Sequence, residues 1–227
     1  MFGDSYAFCR YVNDDKTWEA ILEKKMKSCV KNFGVGNFGL DQSFLKYNKV
    51  KISKSTKLII FAFVPETIVR INSYWKHYSE FGNKFAFKPF FKLQGNRFIL
   101  KENILYKDIK LNTLKQKIIK VKKEDFFYES KFKYYMFKFP YSVSYFRFFR
   151  RNTIIFSNIL IFKILKLLNL GNYKKFYSKS YNKIMRDNIY QANKMYFNKY
   201  FSNHLKKMLI NINESVKNKK KKCIFLI

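Results

Sequence analysis

The stretch from Lys131 to Arg151, KFKYYMFKFPYSVSYFRFFRR, alternates bulky aromatic side chains with Lys and Arg and contains no acid. The acid-free run continues to Arg186 and includes 13 basic residues. Globular surfaces normally mix charges of both signs, because unmixed charges repel one another and oppose compaction. We therefore expect the surface built from this run to face an anionic partner.

The same imbalance extends over the whole chain of 227 residues, which has 47 Lys and Arg, 15 Asp and Glu, and a net charge of +32. Codon usage in an AT-rich genome, such as an organelle's, raises Lys and Asn but does not by itself deplete Asp and Glu. The hydrophobic fraction of 48% is that of a folded protein. A basic excess of this size, with one aromatic residue in five, is typical of nucleic-acid-binding proteins.

The cysteines and histidines do not predict a metal site or a disulfide framework. Cys9, Cys29 and Cys223 are widely scattered, with no CxxC pair. His77 and His204 are far apart and have no neighbouring Cys or carboxylate ligand, so we interpret them as surface or packing residues.

A nucleotide site and a catalytic site are not predicted either. Residues 34–39, GVGNFG, match GxGxxG, but no strand precedes them and residues 53–60 offer no acid, so a glycine-bearing loop is predicted. No Ser/His/Asp or Cys/His set has a suggestive spacing. We predict no enzyme activity, no cofactor, no metal and no small-molecule substrate.

The order of helical and β-like segments predicts an α+β fold in three consecutive parts. Residues 1–69 form a helical N-terminal part, residues 70–151 form a small mixed RNA-binding domain with a hairpin, and residues 152–227 form a helical basic extension with a tail. In the first part, Asp14-Asp15 is expected to cap a helix over Lys16–Ser28. The apolar run over 58–64 is either a buried strand or a core helix fragment.

Short strands are predicted within the middle part. The apolar-aromatic runs over 90–93 and 97–100, separated by Gln94-Gly95-Asn96, predict a hairpin. Further strands are predicted over 104–109, 118–121, 134–139 and 143–149.

The last part is predicted to be helical. Residues 154–170 are the most apolar in the chain, but Lys163 and Lys166 interrupt them, so we predict an amphipathic helix and no membrane span. One or two more helices are expected over 172–213. The basic residues over 217–222 are predicted to form a tail that stays disordered until it meets nucleic acid.

Three segments, RINSYW at 70–75, FKPFFKLQGNRF at 87–98 and NILYKDI at 103–109, are similar to motifs of one known family. They resemble the RNA-binding domain of the ribosomal small-subunit protein four family. That domain opens with an Arg-Leu-Asp helix, contains a Val-Asn-Gly-Lys-Arg-Val hairpin and closes with a Gly-Asp-Ile strand. Arg70 would match the opening arginine, Gly95 the hairpin glycine, Arg97 the arginine after it, and Asp108-Ile109 the closing pair.

This resemblance implies a structural rRNA-binding protein of an organellar ribosome, in its small subunit, with rRNA and neighbouring ribosomal proteins as partners. Since the chain opens with neither a secretory signal nor an Arg/Ser-rich transit peptide, we expect an organelle-encoded protein of the mitochondrial matrix ribosome.

Basic side chains are expected to neutralise phosphates of this RNA, while Tyr and Phe stack on unpaired bases. The candidate RNA-binding residues are Arg70, Lys84, Lys88, Lys92, Arg97, Lys131, Lys133, Arg147, Arg150, Arg151, Lys174 and Lys175.

An alternative function remains open. The segment 154–170 would lie as an amphipathic helix against lipid, with basic residues facing anionic headgroups, in a peripheral membrane protein or a subunit of a respiratory complex. Fractionation separates the two hypotheses, because a ribosomal protein is released by ribonuclease and a membrane subunit stays with the membrane.

Overall fold

The computed structural model describes residues 1–75, 87–106, 111–128, 133 and 137–227. Backbone contacts divide the chain into two compact units. The first comprises Met1–Lys76, Lys88–Asn103 and Ala192–Ile227, and the second comprises His77–Phe87 and Ile104–Gln191. The predicted α+β class is confirmed. The three consecutive parts predicted from the sequence do not coincide with these units, because the last residues of the chain belong to the same unit as the first.

In chain order, the helices and strands are β1 (Phe2–Gly3), α1 (Ser5–Phe8), α2 (Trp18–Met26), α3 (Leu40–Lys49), β2 (Leu58–Ala62), α4 (Thr67–Arg70), β3 (Phe90–Gln94), β4 (Arg97–Lys101), α5 (Leu111–Glu124), α6 (Tyr141–Phe146), α7 (Phe149–Leu167), α8 (Lys174–Tyr196), α9 (Lys199–Asn218) and β5 (Lys222–Leu226).

A three-stranded parallel sheet, ordered β1-β2-β5, forms part of the first unit. Its central strand β2 is the apolar run for which the sequence left strand and helix open. Ile59 and Phe61 of this strand are buried, and a continuous apolar run is typical of strands in parallel sheets. Phe61 is aligned with Phe2 of β1 and with Phe225 of β5. The two ends of the chain therefore meet on either side of β2.

Aromatic rings fill the core beside this sheet. The rings of Phe2 and Phe61 lie 5.5 Å apart, and Tyr47 of α3 meets both edge-on, at 5.5 and 5.7 Å. All three side chains are almost fully buried. Leu40, Phe44 and Tyr47 recur at helical spacing and turn the apolar face of α3 toward this core.

The predicted helix after residue 16 is present as α2, but its cap differs from the prediction. The hydroxyl of Thr17 accepts the backbone N–H of Ala20, whereas Asp14–Lys16 forms a short 3-10 turn before it. Thr17 occupies the extended N-cap conformation, so its side chain satisfies an otherwise unpaired backbone donor.

The hairpin predicted around Gly95 is confirmed. Strands β3 and β4 pair antiparallel, with Gln94 opposite Arg97 and Phe90 opposite Lys101. Gly95 has a φ of +59°, a conformation that most residues avoid and glycine adopts freely. The local turn chemistry therefore determines this element.

The disordered tail predicted over 217–222 is wrong, because α9 continues to Asn218 and β5 begins at Lys222. Residues Leu205, Met208, Ile212 and Val216 form one buried stripe of α9, which continues to Asn218. A short turn then leads into β5, in which Lys222 is aligned with Leu58. The basic residues before β5 are ordered because the apolar residues after them complete the sheet.

The described residues of the second unit include α5, α6, α7 and most of α8. Helices α7 and α8 run antiparallel: the side chain of Arg151 bonds Asp187, and the buried hydroxyl of Ser180 donates to the Ile155 carbonyl at 3.0 Å. Helix α7 begins earlier than the predicted 154–170 helix, and α8 and α9 account for the helices predicted over 172–213.

Two predicted strands are wrong. Residues 118–121 belong to α5, where Leu114, Ile118 and Val121 recur at helical spacing and Val121 is buried. Residues 143–146 lie in α6, 147–148 form a turn and Phe149 begins α7, because strand propensity of aromatic residues yields to tertiary context. Residues 104–106 form a turn rather than a strand, and 137–139 have no strand, while 107–109 and 134–136 lie outside the described residues.

Candidate nucleic-acid interface

One face of the hairpin presents basic side chains to solvent. Lys92, Arg97 and Lys101 lie on the same face, since cross-strand partners share a side and Lys92 is paired with Ile99, Arg97 with Gln94, and Lys101 with Phe90. All three cations are exposed. We call these three residues the hairpin basic face.

The opposite face of the hairpin packs against the protein. The ring of Phe91 lies 6.1 Å from Phe44 of α3 and 6.2 Å from Phe98 across the hairpin. Phe98 in turn lies 5.3 Å from the ring of His204. Phe90 shares the side of the basic residues but is also buried, with its ring 4.7 Å from that of Tyr74, so the three cations reach solvent beside a partly packed face.

The tip of the hairpin is held by α9. The ammonium of Lys207 donates to the carbonyl of Gly95 at 3.2 Å and to the side-chain oxygen of Asn96 at 2.7 Å. These bonds use the turn's carbonyl and amide oxygens and involve none of the three cations of the hairpin basic face.

His204 lies behind the hairpin with 1% of its surface exposed. Neither ring nitrogen forms a well-aligned hydrogen bond with any residue that the structure describes. Burial lowers the pKa of His204 to about 4; the Asp41 carboxylate and the Phe91 backbone oppose this shift, and Lys88 adds to it. His204 is therefore a neutral packing residue, one of the two roles predicted from the sequence.

Lys88 is not a surface contact, which corrects the prediction for this residue. Its ammonium is paired with the carboxylate of Asp41, and only 2% of the Lys88 side chain is exposed. A buried ammonium that already has a carboxylate partner cannot reach an RNA phosphate in this fold.

Arg70 also has intramolecular partners. Its guanidinium donates to the Phe38 carbonyl at 3.0 Å and to the Asp4 carboxylate at 3.4 Å. Its side chain is 23% exposed. These bonds join α4 to the start of the chain, so Arg70 has a structural role that the sequence did not predict.

In the second unit, two predicted residues line one cavity. Lys133 and Arg147 lie around it together with Lys138, and we call this the α6 cavity. Arg150, Lys174 and Lys175 are exposed and do not line it, while Arg151 is bonded to Asp187 at 3.1 Å. Lys84 and Lys131 lie outside the described residues.

The sequence reasoning missed Lys101 and Lys138. The position of Lys101 follows from the hairpin itself, because residues four apart on one strand face the same side. No local pattern predicted Lys138, since the helix that places it beside Arg147 was interpreted as a strand.

The GxGxxG segment is a loop that leads into α3, as predicted. A Cβ atom at Gly34 would lie 2.7 Å from the backbone nitrogen of Phe8, so this glycine permits close packing of the chain on itself. Among the described residues, no cluster of His, Cys, Asp and Glu has an arrangement that could hold a metal ion.

Comparison with family models, curated proteins and solved structures finds no match. Among the described helices, none combines the length and the apolar character that crossing a membrane requires.

Proposed function

We propose that this chain is a structural RNA-binding protein of an organellar ribosome, bound to rRNA in the small subunit of the mitochondrial ribosome. The observation that carries the proposal is the charge excess. If each of the 15 acidic residues paired with one basic residue, a net charge of +32 would remain. Internal ion pairs cannot neutralise this excess, whereas a phosphate backbone can.

The placement of the cations supports this proposal. The hairpin basic face gathers three cations in the first unit, and the α6 cavity gathers three in the second. Both sets lie next to exposed apolar or aromatic side chains, and Phe139, Tyr141 and Phe146 are 86%, 62% and 67% exposed. Cations beside stacking surfaces suit single-stranded or looped RNA, where bases are unpaired.

The ribosomal part of the proposal depends on the resemblance around the hairpin. Gly95 lies in the turn and Arg97 begins the strand after it, as the resemblance implies. In a ribosome, rRNA would contact the basic surfaces, and neighbouring ribosomal proteins would cover exposed apolar side chains.

Sedimentation tests the proposal. Organelle extract is separated on a sucrose gradient, and the chain is located by mass spectrometry before and after ribonuclease treatment. We expect it to travel with the small ribosomal subunit and to leave those fractions after ribonuclease. A chain that stays with the membrane pellet after ribonuclease contradicts the proposal.

A second candidate function is favoured by one helix. In α7 the side chains of Ile154, Phe156, Leu160, Ile164 and Leu167 are each more than two-fifths exposed. Such a surface, next to basic residues, also suits the anionic surface of a membrane. Flotation of the purified chain with phosphatidylserine-containing vesicles, in the presence and absence of rRNA, distinguishes the two candidates.

A further inference from the structure

The described residues that line the α6 cavity include three cations and no acid. Its volume is about 260 Å³, and Lys133, Lys138 and Arg147 all contribute to its wall. This is far more than the roughly 30 Å³ that one water occupies and just below the roughly 300 Å³ at which pockets for drug-sized ligands begin. The space therefore suits a small anionic group, such as a phosphate with its adjoining sugar.

The wall of the cavity is fixed by hydrogen bonds. The Ser144 hydroxyl accepts the backbone N–H of Lys138 at 3.1 Å and donates to the carbonyl of the same residue at 2.8 Å. Arg147 follows the last residue of α6, and its N–H donates to the Val143 carbonyl one helical turn before it. The segment that carries Lys138 is thus held against the helix at whose C-terminal end Arg147 lies.

The far end of α6 is also held. The side-chain amide of Asn152, which is 4% exposed, donates to the carbonyl of Tyr145 at 2.9 Å. This bond ties the last turn of α6 to α7. These bonds hold the backbone that carries Lys138 and the end of α6, which lowers the conformational entropy that this part of the site loses on binding.

An aromatic ring lies next to the cations. Phe139 lines the cavity and is 86% exposed, and its ring contacts that of Tyr141 edge-on at 6.3 Å. A large apolar ring left in solvent beside a cation-lined cavity has the chemistry of a nucleotide site, since cations bind phosphate and the ring stacks on a base. Inorganic anions and acidic peptides would use the cations and leave the ring unused.

We infer that the α6 cavity is a nucleotide subsite for single-stranded RNA, in which Lys133, Lys138 and Arg147 bind one backbone phosphate and Phe139 stacks on the adjoining base. This inference rests on the proposed RNA-binding function and adds a location to it. Recognition of this kind is tolerant of sequence, because every base has a face on which a ring can stack.

Two variants of the full-length chain test the two halves of the site. The probe is a short fluorescein-labelled oligouridylate, with a second probe of the same length and backbone that lacks bases. Lys138→Gln is expected to weaken binding of both probes and to lower the salt slope by about 0.7. Phe139→Ala is expected to weaken oligouridylate binding about fivefold or more and to leave binding of the abasic probe unchanged.

Matched controls come from the same chain. Lys163 is an exposed lysine of α7 that does not line the cavity, and Phe197 is 89% exposed. Lys163→Gln and Phe197→Ala are expected to change oligouridylate affinity by less than twofold. Circular dichroism of all four variants should match the wild type, because each substituted side chain is exposed.

The outcomes separate this inference from the proposed function. If the wild type binds neither probe, the RNA-binding function itself fails. If it binds both probes and the cavity variants behave like their controls, the function survives and the subsite is overturned. If Phe139→Ala weakens binding of both probes equally, the proposed stacking contact is also overturned. If phosphatidylserine vesicles compete with the oligouridylate for the chain, and both cavity variants abolish this competition, the cavity would be assigned to lipid headgroups instead.

Discussion

The ammonium of Lys88 and the carboxylate of Asp41 form an ion pair that is almost completely removed from solvent, with 2% and 0% of the two side chains exposed. Lys88 also donates to the Pro89 carbonyl at 3.2 Å, and Asp41 accepts the Gln42 backbone N–H at 2.8 Å. Burial of two charges is compensated only when such additional bonds satisfy them. The pair therefore joins the start of α3 to the segment that precedes the hairpin.

Removal of one partner of this pair should strongly destabilise the first unit. Lys88→Met leaves the Asp41 carboxylate buried without its cation, and we expect a loss of about 3–5 kcal/mol in the free energy of unfolding. The double variant Asp41→Asn/Lys88→Met removes both charges and should recover most of that loss. Urea denaturation measures the free energy of unfolding of both variants. Lys92→Met, at an exposed position in β3, is the control and should change stability by about 0.5 kcal/mol or less.

The hairpin basic face should account for part of the salt dependence of RNA binding. Replacing Lys92, Arg97 and Lys101 by Gln removes up to three phosphate contacts, so the slope of log K against log salt should become less steep by about 2. Binding to a fluorescent RNA measured over a series of KCl concentrations gives the slope.

The matched control for this prediction has the same change in net charge. Lys51, Lys54 and Lys57 are exposed in the loop before β2, and replacing all three by Gln should change the slope much less. Equal effects of the two triple variants would show that the hairpin carries no special contact.

Stability should fall as pH is lowered from about 6.5 to about 4, through the titration of His204. Burial lowers its pKa in the folded chain to about 4, against 6.5 as its ordinary value, so between these values the unfolded state binds the additional proton. The free energy of unfolding should decrease by up to about 1.4 kcal/mol per pH unit in this range, or about 3 kcal/mol in all.

Comparison of the wild type with His204→Leu isolates this contribution from that of the carboxylates. Urea denaturation at several pH values should show a smaller loss for the variant. Parallel pH profiles for the two proteins would mean that His204 does not titrate in this window.

The left-handed backbone at Gly95 should make this position intolerant of a side chain. Gly95→Ala is expected to cost about 1–2 kcal/mol, because a Cβ disfavours a φ of +59°, and Gly95→Asn should cost less. Gly36 has open space around its Cβ position and no such φ, so Gly36→Ala is the control and should have a small effect. Thermal unfolding followed by circular dichroism measures all three.

Elements that depend on neighbouring residues could be predicted from the sequence. The hairpin follows from Gly95-Asn96 between two apolar-aromatic runs, and helices were expected over 172–213, where α8 and most of α9 lie. Failures occurred where contacts outside a segment override its propensity. Residues 143–149 have the composition of a strand, yet they are not one, and the Asn152 amide bonds the Tyr145 carbonyl while the Ser144 hydroxyl bonds Lys138.

The candidate interface divides in the same way. The basic excess, and with it the expectation of a polyanionic partner, is a property of composition and needs no structure. Composition does not show which cations reach solvent. Lys88 and Lys92 are separated by only three residues, yet only Lys92 is exposed.

The sequence by itself determined the net charge, the α+β class and the hairpin, since each depends on composition or on residues close together in the chain. Only the tertiary structure decided that Lys88 is buried with Asp41, that β5 completes a sheet begun by β1, and that Lys138 joins Lys133 and Arg147 around one cavity. These features depend on contacts between residues that are remote in sequence or on the conformation between them, and local propensities do not contain that information.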